Sequence, residues 1–160
     1  MKVGVLSDSH VYALDDLPKK AVDRLRAMDL IIHAGDYTGN KLLDELQELG
    51  DFKGVYGNMD PFDIKAVLPK SEVLELKEFR IGITHPSEGG TPFRLEKKVR
   101  AKFDQVDAII YNHSHWAKNE VIQGILYFNP GSITGKFPAR RKTFGVLTIG
   151  KELKGEIIEL

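Results

Sequence analysis

Apolar runs and helical stripes alternate through the first third of the chain. Lys2–Leu6 is a short, mostly apolar run suited to a buried strand, and residues 17–28 carry Leu17, Ala21, Val22, Leu25 and Met28 on one helical face. Pro18 lies at the start of that stripe, where its missing N–H does least harm. Leu30, Ile31 and Ile32 form a second apolar run, Leu42, Leu43, Leu46 and Leu49 a second helical stripe ending at Gly50, and residues 52–56 a third strand. Strand–helix–strand–helix–strand order predicts right-handed crossovers and a parallel sheet. In such sheets ligands bind beyond the carboxyl ends of the strands.

The pattern then changes. Residues 72–76 and 80–84 are separated by a short polar link and predict a hairpin that ends at His85. Residues 92–103 read as a helix with a basic side, and residues 108–111 as a strand leading into Asn112-His113-Ser114-His115. Four short strands over 120–122, 125–128, 144–149 and 154–158 make the C-terminal half β-rich. Two mixed sheets with helices outside them accommodate this order, as a single domain over residues 1–160.

Composition narrows the chemistry. The 160 residues include no cysteine, which excludes disulfides, thiolate nucleophiles and iron–sulfur clusters. Lys plus Arg equals Asp plus Glu at 23 each, so no long-range positive field attracts a polyanion, and a stable nucleic-acid complex is not expected. No apolar run approaches the roughly 20 residues of a membrane span, and the first is broken at Ser7-Asp8, too early for a signal peptide. A cytoplasmic protein is expected.

What stands at the strand exits is hard-ligand chemistry: Asp8 and His10, Asp36 after Gly35, Asn58 after Gly57, His85, and His113 with His115. Each piece alone is weak. Asp36 could equally cap the helix near Asn40, and Gly57-Asn58 could be an ordinary turn. Together they are seven nitrogen and oxygen donors at five predicted strand ends, suited to Mn, Fe, Co, Ni or Zn. Two such ions about 3.5–4 Å apart could activate a water and clamp a phosphate.

The order Asp-x-His, Gly-Asp, Gly-Asn-x-Asp, His, x-His-x-His resembles the calcineurin-like metallophosphoesterase superfamily, in particular its small bacterial and archaeal phosphodiesterases, and Asn129-Pro130-Gly131-Ser132 extends the match. The resemblance implies a four-layer αββα sandwich with two divalent transition metals, Mn or Ni foremost, at the strand ends. It implies Asp8, His10, Asp36 and His115 around one ion, with Asp36 bridging to a second held by Asn58, His85 and His113. Asp36, Asn58 and His85 are the residues expected to carry catalysis. A hydroxide between the ions would attack phosphorus in line, and the expected substrate is a small phosphodiester, with self-association left open.

Three positions depart from the pattern. Many relatives have His where this chain has Met59, and methionine has no proton to donate to a leaving group. That shifts the expectation from monoesters toward diesters with good leaving groups. Asn112 replaces a glycine, which Asn would tolerate if the position needs positive φ, and Pro86-Ser87 replaces glycine after His85. His33 reads as a hydrogen-bonded core residue rather than a ligand, and Asp60 as an orienting group or a turn cap. Arg140 and Arg141, with Lys136 and Lys142, form a basic loop that is either solvated or phosphate-binding. Phe62, Phe93, Trp116 and Phe137 could wall an aryl or nucleobase pocket, with ordinary packing as the default. The competing reading of the chain is a non-catalytic protein-interaction scaffold on the same fold, similar to the retromer subunit. Against it, all seven ligand positions hold competent residues.

Overall fold

The computed structural model describes residues 1–86 and 95–160. Its first sheet has strand order β10-β9-β1-β2-β3, built from β1 (Lys2–Leu6), β2 (Leu30–His33), β3 (Phe52–Gly54), β9 (Thr143–Ile149) and β10 (Leu153–Glu159). The second has order β4-β5-β6-β8-β7, built from β4 (Ser71–Leu76), β5 (Phe79–Thr84), β6 (Ala108–Tyr111), β7 (Lys118–Ile122) and β8 (Ile125–Asn129). β1, β2 and β3 pair in parallel, as do β5, β6 and β8, while β4, β7, β9 and β10 join antiparallel. Both sheets are therefore mixed, as expected. The four C-terminal strands divide between them, β7 and β8 completing one sheet and β9 and β10 the other.

Alternation along the strands builds the layers. Val3, Val5, Leu30 and Ile32 face Ile81, Ile83, Ala108 and Ile110 between the sheets. On the outer side of the first sheet, Leu6 and Ile31 pack against α1 (Lys19–Leu25) and α2 (Asn40–Leu49) through Ala21, Leu25, Leu42 and Leu46. On the outer side of the second, Ile109, Tyr111 and Tyr127 meet α4 (Leu95–Arg100) through Leu95 and Val99. Helix, sheet, sheet and helix make the four-layer αββα sandwich. Phe128 fills the space that Gly145 and Gly155 leave open, since a Cβ at either would lie 2.3 or 2.7 Å from its ring.

Several boundaries differ from expectation. Pro18 has no N–H to donate and stands just before α1, leaving Leu17 outside the helix but still buried. β3 stops at Gly54 because the Tyr56 N–H turns away to Pro69 O. A 3₁₀ turn (Leu14–Asp16) and α3 (Phe62–Val67) were not expected; each is too short to show helical periodicity. Of the helix expected over 92–103, the described part is Leu95–Arg100 with a turn after it, and Ser87, Pro92 and Phe93 lie outside the described residues. No helix among the described residues is long and apolar enough to cross a membrane.

Candidate metal centre

Parallel pairing brings the exits of β1, β2 and β3 to one edge, and those of β5 and β6 meet them from the other sheet. Asp8 Oδ1 lies 2.9 Å from His115 Nε2 and 3.7 Å from His10 Nε2. Asp36 Oδ2 lies 3.8 Å from His10 Nε2 and 3.5 Å from His85 Nε2. One ligand atom from each of Asp8, His10 and His115 falls within 4.8 Å of the others, and the same holds for Asp8, Asp36 and His85. The His113 ring stands edge-on to His85 at 5.4 Å between centroids. Asn58 is exposed and lines, with His10, Asp36, Met59 and His113, a cleft of about 440 Å³ above the cluster. Five of the seven expected donors, His10, Asp36, Asn58, His113 and His115, thus line one cleft, and Asp8 and His85 are buried beside Asp36.

The donors are aimed by hydrogen bonds behind them. His85 Nδ1 donates to Ala34 O at 2.8 Å and His115 Nδ1 to Lys136 O at 2.9 Å, which leaves each Nε2 lone pair facing a carboxylate. Two acceptors turned toward each other repel unless a cation or proton lies between them. Asp8 Oδ1, His10 Nε2 and His85 Nε2 are buried without a hydrogen-bond partner, so the 2.9 Å approach of Asp8 to His115 is not an aligned hydrogen bond. These orphaned atoms are what a divalent ion held by imidazole and carboxylate would satisfy, and the donor set fits the group.

Electrostatics agree. Burial alone would raise the Asp8 carboxyl, but the neighbouring imidazoles of His85, His10 and His115 outweigh it and hold the group well below the carboxylate range. Asp36 is pushed up by burial, against the pull of His85 and with the added repulsion of Asp8. Desolvation tends to lower His115, yet Asp8 more than offsets it and the imidazole is raised; desolvation and His85 lower His113. Two carboxylates that cannot both ionise comfortably beside imidazoles form a natural cation site.

Glycines and left-handed residues shape the loops. A Cβ on Gly35, itself at φ +97°, would lie 2.8 Å from the His85 ring. Asp8, His10, Asp36, His113 and His115 all have positive φ, between 46° and 98°. For non-glycine residues this costs on the order of 1 kcal/mol each, strain of the kind that concentrates at functional sites. Asn112 is not among them. Its side chain instead accepts from His115 N at 3.0 Å and donates to Gly131 O at 2.8 Å, tying the β6 exit to the Asn129-Pro130-Gly131-Ser132 turn.

The buried residues behind the cluster account for the open alternatives. Asp36 does not cap α2, whose N-cap is Gly39. Asp60 accepts the backbone N–H groups of Asp36, Gly57 and Thr38 at 2.7–3.0 Å and so orients the loop that carries Asp36. His33 is buried, 2.7 Å from Ser9 Oγ and stacked on Tyr37 at 3.7 Å. Ser132, Thr134 and Asn129 were not singled out individually. Ser132 Oγ donates to Asp8 O and Thr134 Oγ1 to Ser9 O, both at 2.8 Å, while Asn129 holds Gly131 N and Ser114 Oγ.

Comparison with known proteins agrees with this geometry. The model of the calcineurin-like phosphoesterase superfamily domain matches residues 1–152. A probable metallophosphoesterase from Methanocaldococcus jannaschii is 37% identical over 139 residues, covering 84% of this chain and 69% of that protein. A phosphodiesterase from the same organism is 26% identical over 174 residues, covering 99% of each. Among solved structures, a Vps29 single mutant from Entamoeba histolytica aligns with a TM-score of 0.78 at 25% identity, covering 100% of this chain and 99% of that one. The chain, with its cluster of metal-competent donors, belongs to the calcineurin-like phosphoesterase superfamily.

Proposed function

We propose that this protein is a phosphodiesterase dependent on two divalent metal ions. The observation that carries the reading is the set of buried, unpartnered atoms Asp8 Oδ1, His10 Nε2 and His85 Nε2, turned toward one another beneath an open cleft. Asp8, His10, Asp36 and His115 would hold one ion, and Asp36, Asn58, His85 and His113 the other. Support for a bridging Asp36 comes from its Oδ2, which lies between His10 and His85. Asp8 approaches both groups as well, so Asp36 is not the sole shared carboxylate within reach. When bound, the ions would supply activated water and neutralise charge developing on the phosphoryl oxygens.

The chain's own residues do the positioning. Met59 N donates to Asp36 Oδ1 at 2.8 Å and fixes one carboxylate oxygen while leaving the other to the site. The Ala34 and Lys136 carbonyls hold His85 and His115 in one tautomer. Met59 itself is exposed at the cleft and offers no proton, which favours diesters whose leaving groups depart without one. The relative named a phosphodiesterase supports the same preference.

A second reading, a fold that serves a partner protein, draws on the likeness to Vps29. The two part on one experiment. Protein stripped of metal and reloaded with Mn²⁺, Ni²⁺, Co²⁺ or Zn²⁺ is assayed on an aryl phosphodiester and the matching monoester, and its bound metal is counted. Turnover of the diester in preference, with two ions per chain, is expected. Absence of turnover with every metal would leave the partner-protein reading standing.

A further inference from the structure

A second cleft of about 400 Å³ adjoins the metal-centre cleft and shares His115 with it. Its walls are Trp116, Ala117, Arg140, Arg141 and Thr143. A phosphoryl group and one small substituent need only the first cleft, because pockets of several hundred Å³ hold drug-sized ligands. The second provides room for another group on the same molecule.

The wall chemistry says which group. The Trp116 indole is half exposed, yet held: its Nε1 donates to Pro138 O at 3.3 Å, and the residue's backbone N–H donates to Ser114 Oγ at 3.3 Å. A fixed, exposed indole is a stacking face for a flat ring. Arg141 is already committed to Glu159 at 2.6 Å, whereas Arg140 has no ion pair or hydrogen bond among the described residues. A free guanidinium beside a stacking face matches a sugar phosphate that also carries an aromatic base. We propose that this cleft is the subsite for a phosphorylated nucleoside, so that the substrate class is a small nucleotide phosphodiester bearing one further phosphate. The substrate assignment rests on the phosphodiesterase reading; the binding site itself does not.

Trp116 is the only tryptophan in the chain, so intrinsic fluorescence reports on the subsite directly. Adenosine 3′,5′-bisphosphate, titrated into metal-free protein, should quench that emission saturably and bind at least about tenfold tighter than adenosine. Arg140→Ala should erase most of the difference, and Arg141→Ala should erase less, because its charge is spent on Glu159. No saturable quenching, or the same tenfold preference in Arg140→Ala, would overturn the subsite. In the metal-loaded enzyme, the ratio of kcat/KM for a 5′-phosphorylated dinucleotide over its unphosphorylated counterpart should exceed about ten and fall toward one in Arg140→Ala. A ratio near one in the wild type would overturn the substrate class alone. Failure of every diester, bis(p-nitrophenyl) phosphate included, would sink the phosphodiesterase reading and leave the fluorescence titration to decide the subsite.

Discussion

A Cβ placed on Gly57 would fall 2.0 Å from Asp36 Oδ1 and 2.6 Å from the Asp36 backbone nitrogen. The absence of a side chain at Gly57 is therefore what lets the Asp36 carboxylate settle between the loops and turn Oδ2 toward His10 and His85. Gly57→Ala must displace that carboxylate by an ångström or more. Displaced ligand supports typically cost 10–100-fold in metal affinity or activity, and that range is expected here. Calorimetric metal titration beside kcat/KM on an aryl diester checks it. An affinity within twofold of wild type would mean that Asp36 is not needed for binding.

The gathering of candidate donors was legible in the sequence because hard donors recur at successive strand exits, and strand exits converge by topology. Asp60 was legible only as one of two alternatives, an orienting group or a turn cap, because the backbone N–H groups of Asp36 and Thr38 that decide for the first lie more than twenty residues away. The left-handed conformations of Asp8, His113 and His115 could not be read either, because L-residues reach positive φ only where tertiary contacts force them. Asn112 would have tolerated positive φ had its position needed it, but the left-handed conformation falls on His113 and His115 instead. The division of β7–β8 and β9–β10 between two sheets is a nonlocal pairing choice that four similar short strands do not disclose.

His33 should make the metal-free protein sensitive to acid. Burial is the main cause lowering its imidazole to about 3, with the nearby Asp8 charge opposing and His85 and His10 assisting. An unfolded chain takes up that proton near pH 6.5, while the folded one refuses it until far lower. The contribution to stability is thus fully present above about pH 6.5 and is lost as pH falls from there toward 3, amounting to a few kcal/mol at most. Urea unfolding between pH 7 and 4 should show a smaller loss of stability in His33→Gln than in wild type. Parallel curves would refute the assignment.

Chelation should destabilise the protein even without substrate. Five of the expected ligands hold positive φ, and like-facing acceptors are buried beside them, so the cluster carries a cost that bound cations would offset. A ligand at 100 times its Kd adds about 2.7 kcal/mol. At about 2–4 °C per kcal/mol for a chain of this size, removing metal should lower Tm by roughly 5–10 °C. Calorimetric scans before and after chelation, then after Mn²⁺ or Zn²⁺ is restored, test this. A Tm that ignores chelation in metal-loaded protein would argue against any metal coupled to the fold.

Met59 is exposed at the mouth of the cleft, its backbone N–H holding Asp36 while its side chain points a thioether where a proton donor could stand. Met59→His keeps that backbone hydrogen bond, so the site should still bind metal. The imidazole adds a general acid, worth typically 10²–10⁴-fold when well placed and less when exposed. The gain should grow with leaving-group pKa: little change for p-nitrophenyl diesters, and a rise of about tenfold or more for alkyl leaving groups. Measured as the slope of log kcat/KM against leaving-group pKa, the variant should give a shallower line than wild type. An unchanged slope would mean that leaving-group protonation does not limit the reaction, and that the missing histidine says nothing about substrate choice.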